Sequence, residues 1–260
     1  PIGKREKSTD MQAYLTLVRR ELGALFNSFT GYVVMAGVLF VMGSGFAFTL
    51  HNHNNHATSQ PVTEQLFGSP LFWLIILIAS PMITMRSFAF EKHTGTFETL
   101  MTAPISDLQV TLAKFTGALA FFALIWLPVF AYPYIVSVFS IESIELGAGP
   151  LFASMLGVFL IGCVYMAAGC FASSLTRSQL VATLAGFGIG MTLFLLSSIA
   201  RLEIAHDTWQ FQALTQISML DHLDDFTRGI IDTRHLVYYV SVTFLFLYAT
   251  LKVVQARRWK

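Results

Sequence analysis

The chain has 260 residues, 55% of them apolar and 12% charged, with a formal net charge of +1. High hydrophobicity excludes a disordered polymer, two cysteines exclude a disulfide scaffold, and the lack of excess positive charge argues against a nucleic-acid binder. The apolar residues come in blocks too long for a water-facing domain, so the chain reads as an all-α integral membrane protein.

Residues 1–10 are polar and carry five charges. They read as a segment apart from the domain over 11–260, with Met11 a candidate natural start. No secretory signal is expected, because the first apolar run starts some 30 residues in and is long enough to stay as an anchor. Over 11–29, Tyr14, Leu15, Val18, Leu22, Leu25, Phe26 and Phe29 fall on one helical stripe, with Arg19, Arg20 and Glu21 opposite. The pattern predicts an elbow helix lying in the membrane interface, either as an anchor or as a contact for a cytosolic partner.

A hydrocarbon layer ~30 Å thick asks for roughly 20 apolar residues per helical crossing. Six stretches qualify, at about 31–50, 70–90, 107–138, 151–175, 178–200 and 235–255. Between the first two, His51, His53 and His56 form a His-x-His-x-x-His run. Without a nearby carboxylate or Cys it reads as a solvated loop rather than a metal site.

The connection from the second span to the third is the most informative. Gly95 breaks the helix leaving the membrane, and Thr94 or Thr96 can cap a new short helix. Phe97, Leu100 and Met101 give that helix an apolar stripe, Pro104 stops it, and Ser106 with Gln109 forms a capping box for the third span. An exposed stripe needs a partner, and Glu91, Glu98 and Asp107 around it favour a protein over a lipid surface.

Within the membrane, Pro81, Pro128 and Pro133 are expected to kink the second and third spans. Cys163 and Cys170, seven apart in the fourth span, are too far apart to pair and read as small core residues. That span also carries Gly162, Ala167, Ala168, Gly169, Ala172 and Ser173. Thr176 and Gln179 suggest another capping box. In the fifth span Ala182, Gly186 and Gly190 form a small-residue ladder, serving either packing within the chain or a dimer seam. Lys114 sits near the start of the third span, and no ionisable residue is expected mid-membrane, which weighs against a proton- or sodium-driven carrier. The aromatic spans suit an apolar pathway, or packing alone.

On the other side, Leu214, Ile217, Leu220, Leu223 and Phe226 recur by threes, Asp221, Asp224 and Asp225 face away, and Gly229 follows as a cap. An amphipathic helix at the outer interface is expected. Its carboxylates with His222 fit no metalloprotease spacing, and a solvated face explains them.

Six spans put both ends on one side. That side holds thirteen of the 16 basic residues against six carboxylates, a net +7, while the other holds three against nine, a net −6. The rule that basic loops stay inside makes both termini cytoplasmic. No Gly-x-x-x-x-Gly-Lys-Ser/Thr phosphate loop, Gly-x-Ser-x-Gly or His-Glu-x-x-His occurs. The chain is therefore read as non-catalytic, a membrane-embedded hydrolase being the weakest alternative.

The run Ser80-Pro-Met-Ile-Thr-Met-Arg-Ser-Phe, then Glu91-Lys-x-Thr-Gly-Thr-x-Glu-Thr-Leu-x-Thr-x-Pro-Ile-Ser106, resembles type-2 ABC exporter permeases, and most of all the gliding-motility (GldF-like) permease subunit. Ala172-Ser-Ser-Leu-Thr-x-x-Gln179 and Phe226-x-x-Gly-Ile-Ile-Asp232 resemble the same family, over essentially the whole chain from Met11. Ala89-Phe90 departs from it, since a second acidic residue is expected before Glu91. The resemblance implies a six-helix permease in a bacterial inner membrane, paired with a second permease of the same or a related chain. It also implies two copies of a separate ABC ATPase that bind the ATP and Mg, and a partner with a periplasmic domain in the motility-type system. No cofactor is expected in this chain. Arg86, Glu91, Thr94, Gly95, Thr96, Glu98, Leu100 and Pro104 would form the ATPase-coupling interface, beside the elbow's Arg19, Arg20 and Glu21. A scaffold or regulatory subunit of an export or motility machine is the alternative.

Overall fold

The computed structural model describes residues 2–53, 62–102, 105–139, 148–201 and 216–258. His56, Pro104, Glu142, Glu145, Glu203, Asp207, Leu214 and Lys260 lie outside them, and His53 and Met101 are described by their backbone alone.

The described residues form only helices. The elbow is α1 (Ile2–Phe26), so the polar start of the chain continues its helix. The spans are α2 (Phe29–His53), α4 (Pro70–Thr84), α7 (Asp107–Trp126) continued by α8 (Ala131–Phe139), α9 (Ala148–Leu175), α10 (Gln179–Ala200) and α12 (Thr233–Arg258). Short helices join them: α3 (Val62–Phe67), α5 (Ala89–Thr94), α6 (Thr96–Thr102) and α11 (Met219–Thr227). Among the described residues six helical stretches are long and apolar enough to cross a membrane, as expected, the second of them running from α4 on through α5 to Thr94.

The bundle is organised around α9, on which α4, α7, α10, α11 and α12 all pack. Its core window is 67% buried, against 17–28% for the first, fifth and sixth spans, which leave broad apolar faces outward. Close approach depends on the fourth span's small residues. A Cβ on Gly169 would sit 2.1 Å from the Thr84 hydroxyl oxygen, and one on Gly162 would sit 2.3 Å from the Phe122 ring. The ladder on α10 serves the same end. Ala182 is buried, a Cβ on Gly186 would meet Pro81 at 3.3 Å, and one on Gly190 would meet Tyr165 at 3.0 Å. Gly186 and Gly190 therefore let α10 pack closely against α4 and α9 within the chain.

The prolines divide. Pro128 falls in the turn that separates α7 from α8, whereas Pro81 lies inside α4 without ending it and Pro133 sits in the first turn of α8, where a missing N–H costs nothing. The Ser106–Gln109 capping box forms in full. The expected Thr176–Gln179 box does not: Ser178 is the N-cap of α10 and makes no side-chain cap bond, while the Thr176 hydroxyl accepts from the Ser178 N–H instead.

At the acidic end, α11 does not lie as a free amphipathic helix. It packs on α9, where a Cβ on Gly157 would be 2.7 Å from the Phe226 ring. Its carboxylates are not a merely solvated face: Arg201 holds Asp221 at 2.8 Å and Asp224 at 2.5 Å. His222 turns inward, 2% exposed, and stacks on His235 with ring centroids 3.9 Å apart. Gly229 has φ 88°, in line with its expected capping role.

Candidate functional site

At the basic end, the chain leaves the second span by an ordered turn rather than a loose loop. Ser173, in the middle of a sequence motif on α9, accepts hydrogen bonds from the backbone N–H groups of Phe88 and Ala89 and donates to the Met85 carbonyl. The Lys92 ammonium donates to the Ser174 carbonyl. Together these bonds fix α5 to the end of α9. Gly95 ends α5 in the left-handed region, φ 75°, where a side chain would be strained. The Thr94 and Thr96 hydroxyls, 2.9 Å apart, turn back toward the last carbonyls of α5 instead of capping α6.

That sharp turn folds α6 up against the bundle and overturns one expectation. The apolar stripe does not wait for a partner. Phe97 (8% exposed) and Leu100 (9%) sit in a second core with Leu17, Phe88, Val110, Ala113, Cys170 and Val254. Leu100 is thus a core residue and not a contact surface. The exposed side of this region is polar: His93, Thr94, Gly95, Thr96, Glu98, Thr99 and Thr102.

Beneath this turn lies a charged hub that the spacing did not reveal. Lys114, 2% exposed, is placed two turns into α7 by the Ser106 cap. Its ammonium lies 3.1 Å from Glu21 of α1 and 2.9 Å from Glu91 of α5. Arg20 bonds the same two carboxylates, each at 2.8 Å. Burial works to lower the Arg20 pKa, but Glu21 and Glu91 more than offset it and hold it above its ordinary value. Two cations and two carboxylates thus tie three elements together.

The elbow reaches this position because α1 packs along α7. Gly117 leaves no room for a Cβ, which would lie 2.8 Å from the Glu21 Cβ, and the Tyr14 and Thr116 hydroxyls pair at 2.9 Å. Glu21 therefore faces the bundle, not the polar side assigned to it with Arg19 and Arg20. Arg19 itself is exposed. The signal was present: Glu21 falls on the helical stripe of Tyr14 and Leu17, and a lysine inside an apolar span calls for a buried counter-ion.

Arg86 lies close by but outside the hub. It donates to the Ser28 hydroxyl and stacks over the Phe90 ring, 4.8 Å from its centroid. Arg20, Glu21, Arg86, Glu91 and Lys114 line one cavity of about 300 Å³.

A family model described as "ABC-2 family transporter protein" matches residues 11–257. The chain belongs to the ABC-2 transporter family. No curated protein matches it. As an ABC-2 membrane protein it is the permease component of an ABC transporter, which works with an ABC ATPase and is not itself the catalytic part. The matched stretch takes in the elbow from Met11, every span and the whole charged hub.

Proposed function

We propose that this ABC-2 permease receives the stroke of a separate ATPase on the polar face of the α5–α6 turn and passes it through Glu91 to the elbow and the third span. Glu91 is the observation that carries this reading. It sits on the helix just before the exposed turn and is ion-paired to Arg20 of α1 and Lys114 of α7. A push on the turn is therefore a push on two further elements. Glu98, Thr94, Gly95 and Thr96 offer the contact surface, while Phe97 and Leu100 root α6 in the bundle so that it moves as a lever rather than a loose strap.

The reading extends to the assembly. The basic end faces the cytoplasm of a bacterium, with both termini there, in keeping with its net +7. Two ATPase copies bind the ATP and Mg, and a second permease, the same or a related chain, completes the pair through the outward apolar faces. The motif resemblance favours an exporter or a force-transmitting machine of the gliding-motility type, with a periplasmic-domain partner. Co-expression with the ATPase tests the core of it. Glu98→Lys is expected to abolish co-purification and stimulated ATP turnover, and wild-type stimulation in that variant removes the coupling role.

A further inference from the structure

Arg86 is the one lining cation of the cavity at the basic end that no carboxylate neutralises among the described residues. Arg20 and Lys114 share Glu21 and Glu91 between them. Arg86 has only a neutral hydroxyl, Ser28, and the face of Phe90. The cavity therefore holds three cations against two carboxylates, an excess of one positive charge. A half-buried guanidinium without an anion is costly, and its planar fork suits two phosphate oxygens at once. Of the uncharged lining residues, Ala24, Leu25, Ile83, Phe90 and Ala118 are apolar and Ser87 and Thr96 are polar. A site that pairs one surplus positive charge with a mostly apolar wall selects an anionic amphiphile over a soluble anion.

We propose that this cavity binds the phosphate of an anionic phospholipid, with Arg86 as the group that holds it and Leu25 and Ile83 packing the glycerol end. A volume of about 300 Å³ takes a glycerophosphate head and leaves the acyl chains outside, against the exposed apolar surface of the spans. Phe90, over which the guanidinium lies, is itself 37% exposed. Because Glu21 and Glu91 share the cavity, an occupant there sits against the hub itself. The inference does not depend on an ATPase partner.

The test is native mass spectrometry of the full chain released from phosphatidylcholine vesicles doped with phosphatidylglycerol. The wild type is expected to retain phosphatidylglycerol over phosphatidylcholine. Arg86→Gln should lower that retention about tenfold, the ratio for losing one charged hydrogen bond. Arg86→Lys should keep part of it, and Ala24→Trp, which fills the cavity but spares the guanidinium, should lose it. Thermal unfolding run alongside identifies any variant that fails to fold, in which case the other decides. Equal retention in the wild type and a folded Arg86→Gln, or no preference for phosphatidylglycerol in the wild type, overturns the proposal. Displacement of the retained lipid by inorganic phosphate assigns the cavity to free phosphate and overturns the lipid.

Discussion

The Lys114 ammonium of the third span lies 2.9 Å from the Glu91 carboxylate of α5, in a position where the lysine is 2% exposed. An ammonium this deep is tolerated only because Glu21 and Glu91 both face it. Removing one partner leaves the other, so Glu91→Gln should cost about 2–3 kcal/mol, below the full penalty for stranding a buried charge. Lys114→Met, which removes the cation and keeps the volume, should cost less at the lysine but release Glu21 and Glu91 to repel. Combining Glu91→Gln with Lys114→Met should cost less than the two single losses added together. Thermal unfolding of the four proteins in one detergent measures the cycle, and strict additivity would show that the pair is not coupled.

The buried and exposed sides of α6 should separate stability from coupling. Phe97→Ala empties a core position and is expected to lower stability by about 3 kcal/mol. Glu98→Lys changes an exposed side chain and should stay within about 0.5 kcal/mol of wild type. If the polar face meets the ATPase, Glu98→Lys abolishes ATPase stimulation in a protein that unfolds normally. Gly95→Pro, at φ 75°, should fail on both measures because proline is locked at negative φ.

Glycines provide a matched pair inside the membrane. A Cβ on Gly169 would overlap the Thr84 hydroxyl at 2.1 Å, whereas one on Gly188 meets nothing within 4 Å. Gly169→Ala should therefore push α9 away from α4 and reduce the folded yield sharply. Gly188→Ala should be neutral or stabilise by up to about 1 kcal/mol, since it removes helix-interior flexibility at no steric cost. Folded yield by fluorescence-detected size exclusion separates the two.

The six spans were legible because lipid imposes a length and an apolar composition that a sequence states openly. The Ser106 cap box and the Gly95 and Gly229 turns were legible because their chemistry is local. What escaped depends on which helix meets which. Glu21 lies on the helical stripe of Tyr14 and Leu17, but no local pattern names Lys114 as its partner, and that pairing follows from Gly117 letting α1 lie close on α7. Leu100 and Phe97 likewise form an amphipathic stripe by any local count. Whether the stripe is a docking face or a core face is decided by the turn at Gly95, which folds it against Leu17 and Val110. The small residues of the fifth span are a local pattern, while what Gly186 and Gly190 approach, Pro81 and Tyr165, lies on other helices.

At the acidic end, pH should act through His222. Burial, and then the neighbouring His235, lower its pKa from 6.5 to about 4, so the folded protein keeps it neutral over most of the working range. The unfolded chain takes up the proton first as pH falls below 6.5. Stability is therefore full above that value, is lost progressively toward pH 4, and falls no further from this group below it. Asp221 and Asp232 oppose the shift without cancelling it. Asp224, whose own pKa burial raises, works in the other direction. A scan of wild type alone would blend these contributions, so the comparison is with His222→Phe, which keeps an aromatic ring on His235 and removes the titration. Between pH 7 and pH 4.5 the wild-type midpoint of thermal unfolding should drop further than that of the variant. Parallel drops would mean that His222 is already charged in the folded state and that the packing of α11 on α9 does not depend on its neutrality.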